Sequence, residues 1–336
     1  MRWFVTGGCG FIGSALVRRM LDVEPPVEGG LQLQVDRLVV LDKLTYAGDP
    51  AKLGPARDDP RLVLVHGDIA DSALVERLLA EHRPDLLLNL AAESHVDRSL
   101  HGAWPFLRTN VHGTQVLLDA WRSYGGGRCL QGSTDEVYGS LGDEGCFHED
   151  DTLHPSSPYA ASKAAGDLLV QAAVTSWGLD AVITRSCNNL GPWQHPEKLI
   201  PLMIAHALEG RPLPVYGTGR NVRDWIWVGD NCEGLLRAAL RGKPGRSYNL
   251  GAGHERRNLE VVHGLLDRLG ASPDLVRFVA DRPGHDWRYA LDSARAGDEL
   301  GWGPTLSFER ALERTVDWYL ARRDWWGPLL PAREDP

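Results

Sequence analysis

The 336-residue sequence predicts an α/β fold built on a doubly wound parallel sheet, and three observations carry that expectation. Short apolar runs that end in polar or small residues recur through the first half of the chain. Stretches with the apolar spacing of a helix lie between them, and the first run closes in a glycine cluster that opens the first helix. Continuously apolar strands separated by helices indicate a parallel sheet covered on both faces, because each crossover lays a helix against the sheet.

The elements follow in order. "RWFVTGG" reads as a strand and "ALVRRMLDV" as a helix, with "EPPVEGG" after it as an exposed loop. "RLVVLD", "RLVLVHGDI", "DLLLNLAA", "RCLQGSTD" and "DAVITRSCN" are the next strands. "SALVERLLAEH", "NVHGTQVLLDAWRSY" and "AASKAAGDLLVQAAVTSW" are the helices between them. After "NNLGPW" the pattern loosens into Pro-rich and Gly-rich segments, and "RSYNLGAG" reads as one more strand returning to the first sheet. The expected organisation is a Rossmann-like domain over residues 1–190 plus about 224–254, interleaved with a smaller C-terminal domain over about 191–223 and 255–330.

Composition narrows the function. A net charge of -9 argues against a nucleic-acid surface, which needs a basic patch. No run approaches the length of a membrane helix, and the N-terminus enters a strand without the apolar run of a signal peptide. Five cysteines at irregular spacing, with no CxxC pair, suggest free thiols rather than disulfides or a zinc site. The twelve histidines show no metal-ligand spacing, so no metal is expected. These features predict a cytoplasmic protein.

"TGGCGFIG" places Gly7, Gly10 and Gly13 between a strand and a helix, with Phe11 and Ile12 inside the fingerprint. Glycine lets the backbone turn tightly and approach a pyrophosphate seated on the helix N-terminus. A glycine triplet alone is weak evidence, since a tight turn needs the same residues. Here Asp42 ends the next strand, where a carboxylate accepts from a ribose diol and repels a 2′-phosphate, favouring NAD over NADP. The "EPPVEGGLQLQ" loop accounts for the long interval between the two features. Asp68 and Ile69 of "GDI" are placed to meet the adenine, and Leu90, Ala91 and Ala92 to allow a close backbone approach.

"YAASK" sets Tyr159 and Lys163 on one face of a helix. A tyrosine titrates near ~10, too high for a base at neutral pH. A nearby ammonium and a positive nicotinamide stabilise the phenolate and make abstraction of hydride from an alcohol feasible.

Together with "LDKLTYAG", "LAAESHVDRS", "STDEVYG", "NNLGPWQHPEKLIP", "LPVYGTGRNVRDW" and "ADRPGHDWRYALD", these motifs resemble the nucleotide-sugar 4,6-dehydratases of the extended short-chain dehydrogenase/reductase group. The similarity covers nearly the whole chain. GxxGxxG and YxxxK are shared across the superfamily, whereas "TDEVYG" with "AAESHVDRS" and "RPGHD" is specific. The resemblance implies that the smaller domain binds substrate, with dTDP-glucose as the nucleotide sugar and a homodimer as the assembly. It adds Lys43, Leu44, Tyr46, Gly48, Ser94, Thr109 and Asn189 to the NAD contacts, together with Tyr159 and Lys163. Substrate contacts fall on Ser94, Thr134, Asn188, Lys198, Leu199 and Pro214, and on Tyr216, Arg223, Asn258, Arg282 and His285. Arg223 and Arg282 suit a diphosphate, which guanidinium groups bind in bidentate fashion.

The resemblance also gives the adjacent carboxylates of "STDEVYG" separate roles. Oxidation at the sugar C4 makes the C5 proton acidic, and loss of water across C5 and C6 then needs a base and an acid. Glu136 is the implied base and Asp135 the acid, so one must stay protonated while its neighbour ionises. Thr134 is expected at the C4 oxygen beside Tyr159, and the hydride returns to C6. Two positions depart from the family pattern: Leu190 replaces a usual tyrosine, and "CLQGSTDE" replaces the usual lead-in to the strand end. Neither removes a proton-transfer group. Other readings stay open: a dehydratase or epimerase acting on another nucleotide sugar, for example a UDP-linked one, and a non-catalytic NAD-binding protein. Epimerases of the group typically lack the Asp-Glu pair, and silent relatives commonly lose the Tyr-Lys pair; this sequence has both.

Overall fold

The computed structural model describes residues 1–330. Its first half runs β1 (Arg2–Thr6), α1 (Phe11–Met20), β2 (Arg37–Asp42), β3 (Leu62–His66), α2 (Ser72–His82), β4 (Leu86–Asn89), α3 (Val96–His101), α4 (Trp104–Phe106), α5 (Thr114–Tyr124), β5 (Cys129–Thr134), α6 (Pro158–Trp177) and β6 (Ala181–Ser186). The second half runs β7 (Asn188–Leu190), α7 (Leu199–Leu208), β8 (Leu213–Tyr216), β9 (Val222–Trp227), α8 (Val228–Arg241), β10 (Ser247–Leu250), β11 (Glu255–Arg257), α9 (Asn258–Leu269), β12 (Val276–Val279), α10 (Ala294–Leu300), α11 (Phe308–Ala321) and α12 (Arg323–Trp326).

Seven strands form one parallel sheet in the order β10-β6-β5-β4-β1-β2-β3. The direction of winding reverses between β1 and β4, which opens a crevice beyond their C-terminal ends. Thr6 pairs with Asn89, so the two ends are level. Side chains alternate across the sheet. Trp3, Val5, Leu38, Val40, Leu86 and Leu88 join one core with α1, α8 and α10. Phe4, Val39, Leu41 and Leu87 join another with α2, α5 and α6. Continuous apolar strands are the consequence of burial on both faces.

"RSYNLGAG" does return to the first sheet, as β10 beside β6. The rest of the second half builds a third core from α7, α9 and α11, with Trp225 and Trp326 fully or nearly buried in it. Two small sheets, β11-β9-β7 and β12-β8, border this core.

Three local differences from the sequence expectation have physical causes. Helix α1 starts at Phe11, inside the glycine fingerprint, with the Ser14 amide donating to the Gly10 carbonyl. Apolar spacing does not register that first turn because it carries glycine and faces a cavity. Helix α6 starts at Pro158 because the Ser157 hydroxyl accepts from the Ala160 amide and proline suits the first turn. Between α4 and α5, Leu107–Gly113 is π-helical, a widening that often accompanies functional sites. The "EPPVEGG" loop is irregular, and its return is anchored where the Leu31 amide donates to Glu233 on α8 at 2.5 Å.

Behind the sheet end, Arg185 and Asp167 form a fully buried ion pair at 2.9 Å, and Arg185 also donates to the Tyr138 hydroxyl at 2.8 Å. Removing one partner strands a charge in the core, so Asp167→Ala is expected to cost about 3–5 kcal/mol of stability, read as a lowered urea midpoint. An unchanged midpoint would show that the pair is not what holds this layer.

Candidate active site

The crevice above β1 and β4 exists because two glycines let backbones touch. Gly7 adopts φ +71°, and a Cβ there would lie 2.7 Å from the Ala91 backbone. A Cβ on Gly13 would lie 2.1 Å from the Gly7 carbonyl oxygen. The turn therefore presents bare backbone and the first turn of α1 to the cavity. Asp42 holds it from the side, accepting from the Cys9 amide and from the Leu44 amide, each at 2.8 Å. Its carboxylate retains lone pairs for a further donor.

The cavity measures about 360 Å³. Its nucleotide end is lined by Gly7, Gly10, Phe11, Ile12, Gly13, Asp42, Lys43 and Gly48, with Leu90, Ala91, Ala92, Ser94 and Thr109 opposite. Its inner end is lined by Thr134, Asp135, Glu136, Tyr159, Lys163, Asn188, Asn189, Lys198 and Leu199. Four residues expected near the nucleotide stand outside this lining. Ile69 is buried in the core under α5. Leu44 shapes the turn after β2 at φ +51°. Asp68 pairs with Lys43 at 2.9 Å and Arg108 at 3.0 Å. Tyr46 sits at the rim, where its hydroxyl donates to Glu197 at 2.9 Å and the Arg98 guanidinium covers its ring at 3.7 Å.

Strand β5 ends at Thr134 and turns at once into a 3-10 turn, Asp135–Tyr138. Asp135 is thereby buried and Glu136 is left part-buried at the cavity, so the two meet different surroundings. The Thr134 hydroxyl donates to Asp135 Oδ1 at 3.1 Å, and Asp135 Oδ2 has no partner. Burial, the Glu136 charge and the Asp224 charge push the Asp135 carboxyl well above its usual range. Burial also raises Glu136, but Arg282, Arg223 and Lys198 oppose it. Both carboxyls are thus raised, Asp135 the more strongly, while the three cations restrain the rise at Glu136.

Tyr159 and Lys163 project from α6 into the same space. Burial and then Glu136 hold the Tyr159 phenol far above its usual range, with a Thr134 hydrogen bond opposing. Lys163 is pushed down to about 8 by burial, against the pull of Asp167, and donates to the Gly132 carbonyl at 2.6 Å.

The second half of the chain supplies the other wall. Arg223, nearly buried, donates to the carbonyls of Val222, Asp286 and Trp287 and lies 4.3 Å over the Tyr289 ring. Among the described residues it makes no ion pair, so its charge is left for an anion. Asp97 on α3 reaches across the crevice, pairing with Arg282 at 3.5 Å and accepting from the Tyr216 hydroxyl at 3.1 Å. Arg282 Nε is buried without a partner. His285 contacts Asp281 at 2.6 Å, and burial followed by Arg282 lowers its proton affinity. Asn258 opens α9 with a buried, unpartnered Oδ1, and Pro214 lies on β8. None of Pro214, Tyr216, Arg223, Asn258, Arg282 and His285 lines the enclosed cavity; Arg223 and Arg282 reach it through their fields on Glu136.

Comparison with known proteins assigns this architecture. The family model for GDP-mannose 4,6 dehydratase matches residues 4–315. A dTDP-glucose 4,6-dehydratase of Xanthomonas campestris pv. campestris (strain B100) is 48% identical over 96% of this chain and 94% of that protein. The chain belongs to the dTDP-glucose 4,6-dehydratase family. The crystal structure of the family member DesIV from Streptomyces venezuelae, with NAD and TYD bound, superposes with a TM-score of 0.94 at 50% identity, covering 98% of this chain and 100% of that one. The low-salt glycan biosynthesis protein Agl12 of Haloferax volcanii is 51% identical over 94% of this chain and 97% of that protein.

Several residues of this dTDP-glucose 4,6-dehydratase family member escaped sequence reasoning. Asn110 accepts from the Glu93 amide and donates to the Glu93 carbonyl and to the Ser162 hydroxyl, fastening the cavity wall to α6. A buried asparagine in a helical stretch was the available signal. Lys52 is almost fully buried beside the cavity, pushed down to about 8 by burial, and lies 5.6 Å from the Trp325 ring. Trp325 in turn donates to Asp49 at 2.9 Å and joins Trp193 and Trp318 in an aromatic cluster. Nothing local in the sequence links these positions.

Asp42→Ala removes both the acceptor that orients the glycine turn and a carboxylate that lines the cavity. It is expected to weaken NAD binding and to relax discrimination against NADP, measured by calorimetric titration of both cofactors. Unchanged affinities for the two would remove Asp42 from the site.

Proposed function

We propose that this protein converts dTDP-glucose to dTDP-4-keto-6-deoxyglucose and water, as an NAD-dependent hydro-lyase of deoxysugar biosynthesis. The observation that carries the reading is the adjacent pair Asp135 and Glu136 beside Tyr159, Asp135 buried and Glu136 part-buried in the cavity with Arg282, Arg223 and Lys198 acting on it. The names of relatives near half identity support dTDP-glucose as the substrate.

The residues fit NAD: the bare backbone at Gly7 and Gly13 would receive a pyrophosphate, and Asp42 keeps acceptor capacity for a ribose. Bound NAD supplies hydride acceptance from C4 at the start and hydride return to C6 at the end. Tyr159 takes the proton of the C4 hydroxyl, with Lys163 as the neighbouring cation and Thr134 beside the C4 oxygen. Glu136 removes the C5 proton, which the C4 ketone has made acidic, and gives a proton back to C5 once C6 has regained the hydride. Asp135, held protonated, gives its proton to the C6 hydroxyl, which leaves as water. Arg223 and Arg282 hold the diphosphate, with Asn188, Lys198, Leu199, Pro214, Tyr216, Asn258 and His285 around the nucleotide sugar.

Residues 1–190 and about 224–254 form the NAD-binding domain in this reading, and the remainder to residue 330 binds the nucleotide sugar. The protein acts as a homodimer through α4–α5 and α6, where Trp104 is 72% and Leu168 is 55% exposed. No helix among the described residues is long and apolar enough to cross a membrane. All five cysteines are free, which suits the reducing cytoplasm.

Mass spectrometry after incubation with dTDP-glucose and, separately, UDP-glucose tests the reading. Loss of one water from dTDP-glucose is expected, and preferential dehydration of the UDP sugar would overturn the substrate. Tyr159→Phe removes only the phenolic oxygen, so it should abolish oxidation while NAD binding persists. A normal rate of nicotinamide reduction in that variant would assign the first proton to another group.

Asp135→Asn and Glu136→Gln keep side-chain volume but remove proton transfer, an effect typically worth ~10²–10⁴ in rate. Both should slow water loss by that factor while the nicotinamide absorbance still changes on mixing with dTDP-glucose. Glu136→Gln should also suppress solvent exchange at C5. Normal dehydration by both variants would sink the assignment of the pair.

A further inference from the structure

Away from the crevice, the arm that follows β5 pairs with the segment that leads to α10. Phe147 and Leu291 bridge in parallel, with the Phe147 amide donating to the Ala290 carbonyl and the Asp292 amide to the Phe147 carbonyl, each at 2.9 Å. Buried Asn249 locks the ribbon by donating to the carbonyls of Phe147 at 3.0 Å and Asp292 at 3.1 Å. Phe147 stacks on Tyr138 with ring centroids 4.9 Å apart, and Leu291 is buried in the core. Alternation along a strand therefore turns Cys146, His148 and Asp292 to the other face.

Their ligand atoms, one thiol sulfur, one imidazole nitrogen and one carboxylate oxygen, all lie within 4.8 Å of one another. His148 Nδ1 and Asp292 Oδ2 are 3.9 Å apart. Two ligands on one tetrahedral zinc stand roughly 3.5 Å apart, given bond lengths of about 2.0–2.3 Å. His148 is exposed and Asp292 partly so, and small side-chain rotations on a fixed backbone close the difference. Cys146 is the one cysteine that is not buried. Neither the dinucleotide crevice nor the acid-base pair uses any of the three.

We propose that Cys146, His148 and Asp292 form a binding site for a thiophilic divalent cation of the zinc class. A sulfur, nitrogen and oxygen set from three side chains suits that ion and leaves a fourth position for water. Binding exchanges the thiol proton for the metal: Cys146–SH and M²⁺ give Cys146–S–M⁺ and H⁺. Because uptake releases that proton, it weakens as pH falls. The ion staples the arm after β5 to the segment that carries Arg282 and His285, two stretches that the chain connects only through the whole second half.

The test uses tag-free, chelator-treated protein titrated with Co²⁺ as a spectroscopic stand-in. One Co²⁺ per chain is expected, with thiolate-to-cobalt charge-transfer absorption that Zn²⁺ bleaches. Cys146→Ser should lack that absorption, and His148→Ala should bind about 10-fold or more weakly. Dehydration of dTDP-glucose should be unchanged in both variants, which shows that they are folded. As a check without substitution, Zn²⁺ should protect Cys146 from alkylation by iodoacetamide, and EDTA should restore the reaction. Absence of the charge-transfer band, its survival in Cys146→Ser, or alkylation indifferent to Zn²⁺ would each overturn the site.

Discussion

Placing two neighbouring carboxylates inside a protein is expensive, because each loses its hydration and each repels the other. The end of β5 accepts that cost at Asp135 and Glu136, and much of the surrounding structure follows from it. At Asp135, burial, Glu136 and Asp224 all push the carboxyl well above its usual range and so favour its neutral form. Glu136 is relieved by Arg282, Arg223 and Lys198. Those three cations come from separate places: the loop after β12, strand β9 and the N-terminal cap of α7. The second half of the chain therefore helps to set the electrostatics of the pair.

The positions of those cations depend on anchors outside the carboxylate pair. Backbone carbonyls around Asp286 hold Arg223, leaving its charge directed at the site. Lys198 is fixed by the Ser94 carbonyl at 2.8 Å, a contact between the loop after β4 and the entry to α7. Asp97 performs the same service across the crevice, because one carboxylate steadies both Tyr216 and Arg282.

Lys163 and Tyr159 rest on a different support. Helix α6 is fastened from below by Arg185 and Asp167 and from the side by Asn110 through Ser162. The interaction of Lys163 with Asp167 raises the lysine's proton affinity against burial. The buried ion pair and the Lys163 ammonium thus share one helix.

The order of strands and helices, the glycine turn and the Tyr-Lys spacing were legible in the sequence, because periodicity and turn chemistry are written within about ten residues. "STDEVYG" announced two carboxylates but not their environments. How far each of Asp135 and Glu136 is pushed up depends on Arg223, Asp224 and Arg282, brought together only by strand order and the packing of the second half. The same holds for Ile69, whose neighbours in sequence suggested adenine and whose neighbours in space are a core, and for Cys146, His148 and Asp292, which meet because two distant segments pair in one register. The sequence by itself determined the elements and the local chemical groups. The tertiary structure alone decided their charge states and partners, since electrostatic energies depend on distances through space and not on separation along the chain.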